Sequence, residues 1–240
     1  MAGGGVASVS PWPVTGVASA LRERLDVPGG RPTFPVAEPL APLLPGGGLR
    51  RGSVVAVRGS VALLLALLAV ATAQGAWAAV VGIGDLGVLA AVEAGVAVQR
   101  LALIPRSGPD PAPVVAALLD GVGLVALAGA DRITDGARRS LVARARQRGA
   151  VLLPLGPWPG ADVELRCRTG AWHGSEAGAG RLRSREVQVH VTGRGAAARP
   201  RTARLLLPGP GGAVAQLPAT APMLDPDSGS SAARAIKAVG

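Results

Sequence analysis

The chain has 240 residues and a mass of 23.8 kDa, enough for one domain with a full core and terminal extensions but not for two large domains. Hydrophobic residues make up 49% of it, yet with one Phe, no Tyr and four Trp the core has to be built from Ala, Val and Leu, which all but excludes aromatic cages and stacking platforms. The formal net charge is +10 and every basic residue except Lys237 is Arg, which speaks against a Lys nucleophile or a phosphate-loop Lys.

Residues 1–20 read as loosely ordered, Leu21–Leu25 as one or two helical turns, and residues 28–48, rich in Pro and Gly, as an irregular arm wrapping the domain. No basic residue precedes the apolar stretch in the first twenty positions, and the single Cys167 cannot form an internal disulfide. Neither secretion nor an oxidising compartment is indicated, so a cytoplasmic protein is expected, nucleoid-associated when active.

Between Gly59 and Gly84 there is no charged residue, and the apolar run Val61 to Val81 would reach about 31 Å as one helix, long enough to cross a bilayer. The same residues divide into a helix that ends at Gly75 and a buried strand at Trp77–Val81. Ahead of them Gly52–Val57 reads as a strand, stopped by Arg58-Gly59-Ser60 with Ser60 placed to cap the helix. The strand–helix–strand reading is preferred; a membrane-anchored regulator with its span at 61–81 is the alternative.

The alternation then continues. Strands are expected at 53–58, 77–82, 101–104, 124–127 and 150–155, and helices at 60–74, 86–94, 111–120 and 135–148. Five strands alternating with four helices predict an α/β fold with a mostly parallel sheet flanked by helices. After Pro154 the pattern changes: Asp162–Arg168, Ser184–Val191 and Ala203–Leu207 alternate or run apolar without helical period and read as an antiparallel β extension. From Pro208 to Gly240 a Pro- and Gly-rich stretch and Asp225–Ser231 read as a flexible tail, ending in a short segment at 232–239. The expected organisation is an N-terminal arm at 1–38, a core at 39–207 (α/β part 39–155, basic β-hairpin part 156–207) and a tail at 208–240.

Three patterns bear on chemistry. Gly82, Gly84 and Gly87 fit G-x-G-x-x-G after a predicted strand, the context of a dinucleotide fingerprint. In a chain with 35 Gly, however, about one such match arises by chance, and no acidic residue ends the next strand, Leu101–Ile104. The turn Gly59-Ser60 stands where a phosphate loop would precede a helix, but it lacks the glycine-rich span, the Lys and the Ser/Thr on Mg²⁺; the strand Leu124–Leu127 likewise runs into Ala128-Gly129 where a carboxylate would end it, with Asp131 beyond.

Arg is concentrated in helix 136–148 and again at Arg166, Arg168, Arg181, Arg183, Arg185, Arg194, Arg199, Arg201 and Arg204. The alternate spacing of 181, 183 and 185 would put these three on one face of a strand, suited to a phosphate backbone or simply to solvent. Base stacking would have to come from Trp172 or His173, so tight single-strand binding is not predicted. Cys167, His173 and His190 lack the spacing of a metal site, and no nucleophile elbow or catalytic triad occurs.

The run Pro39 to Gly59 resembles the entry to a RecA-type core, and Leu65–Leu67, Ala73–Gly75, Ala79–Val81, Asp85 and Glu93–Leu101 follow in the RecA order, the match covering about 39–155. Within that superfamily the chain resembles the actinobacterial ImuA-type proteins, accessory factors of an inducible mutagenesis cassette; Trp172–Gly174, Arg181–Val187 and Val191–Gly195 look like their basic β-hairpin region. The resemblance implies an ImuB-type partner, an inactive relative of Y-family polymerases, and an alternative replicative polymerase α subunit, with RecA and DNA as further candidates. Against catalytic RecA, the loop at Gly59, Ser60 is too short and the Walker B carboxylate is replaced by Ala128 or Gly129. The expectation is a non-catalytic adaptor with a degenerate nucleotide site at Gly59, Ser60 and Asp85, no cofactor and no metal, docking its partner through the C-terminal region; an NAD(P)-binding oxidoreductase using Gly82, Gly84 and Gly87 is the enzymatic alternative.

Overall fold

The computed structural model describes residues 32–176 and 179–217, with side chains described outside 175–181; the helical turns expected at 21–25 and the segment at 232–239 lie outside these. Nine strands form one sheet in the order β11-β10-β9-β8-β3-β7-β6-β4-β5. The strands β3 (Val55–Arg58), β4 (Ala78–Val81), β5 (Leu101–Ile104), β6 (Leu124–Ala128), β7 (Val151–Leu155) and β8 (Val163–Glu176) run parallel. Beyond β8, the strands β9 (Ala179–Gly193), β10 (Arg201–Leu206) and β11 (Ala215–Gln216) continue antiparallel. Apolar β-branched and Leu-rich runs make the central strands, which are buried on both faces as a parallel sheet requires.

Helix α1 (Val61–Ala73) is the first half of the apolar run, and β4 is the second, joined through the turn at Gly75, whose φ is +93°. The 61–81 span is therefore a helix and a strand, and no helix among the described residues is long and apolar enough to cross a membrane. Its composition has another cause. Leu63, Leu64, Leu65, Leu67 and Leu68 are all buried, because α1 packs on the sheet with one side and is covered on the other by the arm that the sequence reads as irregular.

That arm folds into β1 (Thr33–Pro35) and β2 (Gly48–Arg50), paired antiparallel, with short 3₁₀ turns between them. Phe34, Leu40, Leu43, Leu44 and Leu49 close the core over α1. Burial of each Leu contributes about 2 kcal/mol, so α1 and its cover carry much of the fold's stability. Phe34 sits where Gly123 has no side chain, 2.7 Å from where a β-carbon would be, with the Arg51 guanidinium 4.2 Å above its ring.

On the opposite face α3 (Ala112–Gly121) and α4 (Asp135–Arg148) enclose a second core that includes Val54, Val125, Leu127, Leu152 and Trp158. The short α2 (Val88–Glu93) lies on the α1 side, burying Ala91. Thr134 caps α4 by accepting from Ala137, as Ser60 caps α1 by accepting from Leu63. The two expected short strands at 162–168 and 184–191 are longer than their sequence pattern indicates and form one hairpin of 14- and 15-residue arms. Of the segment from Pro208, residues to Leu217 are described and include β11.

Asp120 near the end of α3 ties the two helices of that face. It accepts from Arg144 Nε at 2.8 Å and Nη2 at 2.7 Å, and from Arg148 Nε at 3.1 Å. The Arg144 hydrogen bonds, then its charge and those of Arg148, hold the carboxyl down from 3.8 to about 2, against a smaller opposing effect of burial. A depressed carboxylate stabilises the fold above its ordinary pKa, and that contribution is lost as the pH falls through the folded value. Asp120→Asn is expected to lower the thermal midpoint at pH 7, with the gap to the unsubstituted protein closing between pH 3.8 and about 2 in a series of melting curves.

Candidate functional site

In open parallel sheets ligands bind at the carboxyl ends of the strands, where connections leave in opposite directions. Here β3 sends its chain over one face to β4, three strands away, while the chain from β7 passes to the other side of β3 as β8. The crevice between these departures is where a nucleotide phosphate would sit, and it is closed. Only Gly59 separates the last residue of β3, Arg58, from the helix cap Ser60. Gly59 has φ +85°, and a β-carbon there would collide with the carbonyl oxygen of Cys167 in β8.

The Ser60 hydroxyl accepts from the Leu63 amide at 3.1 Å. Burial pushes the Cys167 thiol up, opposed in part by Ser60 and the Arg185 charge. Backbone amides that would cradle a phosphate are thus few, and the space beyond them is taken by a strand. Asp85 is exposed in the turn after β4, three inter-strand steps from β3, or about 14 Å. The structure does not bring Gly59, Ser60 and Asp85 together. At the end of β6, Ala128 and Gly129 stand where a carboxylate would be, and Asp131 is exposed in the following 3₁₀ turn.

The glycines of the G-x-G-x-x-G match have separate roles. Gly82, at φ +81°, is packed within 3.0 Å of the Ala128 carbonyl oxygen at its β-carbon position; Gly84 meets nothing; Gly87 precedes the six-residue α2. Cys167 faces the α1 core, whereas His190, opposite Arg166 in the hairpin, faces away from it; the three candidate metal ligands do not converge, and no metal-type group occurs among the described residues.

The nine arginines of 166–204 divide. Arg166, Arg168 and Arg204 point to the sheet face that α3 and α4 cover farther along, because register sets Arg166 beside Arg58, and Arg168 and Arg204 both opposite Gln188. Arg185 shares the other face with buried Val187, and its guanidinium lies 5.2 Å from the Trp172 ring. Arg183 is exposed farther out on the hairpin, and the side chain of Arg181 is outside those described. Arg201 donates to the Pro42 carbonyl at 3.1 Å, Arg194 donates to the Gly160 carbonyl, and Arg199 is exposed before β10. The row expected at 181, 183 and 185 is thus not the row that shares a face with Arg166 and Arg168.

On the open face Glu164 accepts from Arg166 at 2.8 Å and Arg58 at 3.4 Å. Burial alone would raise this carboxyl, but both guanidiniums outweigh it and hold it below the usual range. Buried Glu186 pairs with Arg204 at 3.2 Å and His173 Nε2 at 3.0 Å. Sequence reasoning missed Gln188 and weighed His190 only as a metal ligand; both stand among these arginines, and strand alternation from buried Val187, Val189 and Val191 is the signal that marks them.

The family model of the MT3502 N-terminal domain matches residues 42–160. The uncharacterized protein Rv3395c of Mycobacterium tuberculosis (strain ATCC 25618 / H37Rv) is 41% identical over 163 residues, covering 63% of this chain and 80% of that protein. The chain belongs to the MT3502 family. The match of that family's domain ends at residue 160, before the β8–β9 hairpin begins, so the turn at Gly59 lies inside it, while Cys167, which closes the turn, and the arginines of β8–β10 lie outside. The crystal structure of the RadB recombinase is similar with a TM-score of 0.56 at 14% identity, covering 75% of this chain and 97% of that one. The fold is RecA-like, as the order of elements in the sequence implies.

Gly59→Ala is expected to cost about 3 kcal/mol, from a strained positive φ and from the collision with the β8 backbone. Urea unfolding of the two proteins measures it. A loss below about 0.5 kcal/mol would mean that β8 does not close the turn.

Proposed function

We propose that this member of the MT3502 family is a non-catalytic RecA-like adaptor of an inducible translesion DNA synthesis complex. The observation that carries the non-catalytic half is the one-residue turn at Gly59, closed by the Cys167 carbonyl, with neither Lys nor Thr following and no carboxylate at the end of β6. Transfer of a phosphoryl group depends on positioned charge around the phosphates; here the turn has no Lys, and the adjacent Arg58 is paired with Glu164. The adaptor half rests on the ImuA-type resemblance of the segments at 172–174, 181–187 and 191–195. In this reading the partners are an ImuB-type inactive polymerase homologue and an alternative replicative polymerase α subunit, with RecA as a further contact and DNA met by arginines of the β extension. A scaffold of this kind retains the fold for its surfaces after the nucleotide chemistry is gone.

Two measurements test the halves separately. Purified protein is expected to hydrolyse no ATP above the background of a protein-free control, with or without single-stranded DNA; stimulated turnover would overturn the non-catalytic half. Tagged protein recovered from DNA-damaged cells is expected to bring polymerase-family proteins with it, as read by mass spectrometry. Their absence from repeated recoveries would overturn the adaptor half.

A further inference from the structure

Past β3 the sheet is covered on one side only. Arg58 lies beside Arg166, Arg166 opposite His190, and His190 opposite Thr202, while Arg168 lies opposite Gln188, and Gln188 opposite Arg204. Directly paired residues point the same way, and Ala56, on this side of β3, belongs to the α3/α4 core. Those helices stop short of β8–β10, and Arg166, Arg168, Gln188, His190 and Thr202 are exposed. The result is an open, polar sheet face.

Its charges do not cancel. Arg58, Arg166, Arg168 and Arg204 stand against Glu164 and Glu186, each of which already holds an Arg. Arg168 pairs with no acid among the described residues. Together with Arg166, Gln188 and His190 it lines a depression in the face. Thr202 Oγ1 holds His190 Nδ1 at 2.9 Å, which orients the ring and leaves Nε2 for an incoming group. Two guanidiniums, a carboxamide and an imidazole around one hollow suit an anion with several acceptor oxygens.

The face has no Trp, Tyr or Phe, since Trp172, opposite Arg185, belongs to the other side of the hairpin, and its two imidazoles are held by hydrogen bonds, His173 to Glu186 and His190 to Thr202. It offers guanidiniums to phosphates but no large stacking platform to bases. We infer that this face binds the phosphate backbone of nucleic acid, with Arg166, Arg168, Gln188 and His190 as a phosphate seat, and that it favours a duplex over a single strand. Duplex is favoured because its phosphates are denser, about one charge per 1.7 Å of axis, and no stacking compensates a single strand. The inference deepens the DNA contact of the adaptor reading and stands or falls independently of the polymerase partners.

Fluorescence anisotropy of the full chain with a labelled 20-base-pair duplex and with one of its strands, between 50 and 200 mM NaCl, tests it. The duplex should bind more tightly than the strand. Arg168→Ala should weaken duplex binding roughly three- to tenfold and make the slope of log K against log salt shallower by about 0.9, the signature of one lost phosphate contact. Trp172→Ala, also exposed but on the other face, should change neither. Sodium phosphate should displace the duplex no better than NaCl of equal ionic strength. Arg168 is exposed and unpaired with acid, so its variant should fold, and matching circular dichroism and thermal midpoints check this. Preference for the single strand, an unchanged slope in Arg168→Ala, an equal loss in Trp172→Ala, or displacement by low-millimolar phosphate would each overturn the inference.

Discussion

Helix α1 has almost no side to turn toward water, and the rest of the architecture follows from finding cover for it. Nine of its thirteen residues are buried, from Leu63 to Thr72. The sheet can bury only one side of a helix, so the other side needs a second layer. The β1–β2 arm supplies it with Phe34, Leu43, Leu44 and Leu49, and the β extension adds Leu165, Val189 and Leu205 at the flank. Thr72, the polar residue in this surround, has its hydroxyl satisfied by the Leu68 and Ala69 carbonyls and by the Ala97 amide.

The same packing decides what the carboxyl end of the sheet can do. A phosphate loop holds its strand and helix apart around an anion, whereas a strand that hands its chain to a buried helix through one glycine leaves no such gap. β8 then lies against β3 in register from Val55 to Arg58 and runs on past it, so its Cys167 carbonyl occupies the space over Gly59. With the helix face apolar and the turn filled, the available chemistry moves to the surfaces the sheet leaves uncovered. One of these is the outer face of β8–β10, where alternation with the α1 core forces polar residues outward.

Much of the α/β part was legible from periodicity alone. The helix at 135–148 and the strand at 101–104 have the expected limits, and the Ser60 cap and the division of 61–81 into helix and strand also follow from local chemistry. The arm was not legible, because Pro- and Gly-rich composition marks turns but says nothing of Phe34 finding the gap at Gly123, which depends on a contact between residues distant in sequence. The length of the β8–β9 hairpin was hidden for a related reason: outside the core its arms no longer alternate in hydrophobicity, and cross-strand pairing rather than burial extends them.

Composition, the missing Lys, the two-residue spacing of Arg166 and Arg168, and the brevity of the turn at Gly59 belong to the sequence by itself. They determine an Ala-, Val- and Leu-built α/β core, a basic surface, and a strand-to-helix turn without phosphate-loop residues. Which arginines act together was decided only by tertiary structure. Register places Arg168 with Gln188, Arg204 and His190, and sends Arg185 to the opposite side with Trp172, since neighbours in a sheet are fixed by hydrogen bonding between strands far apart in the chain.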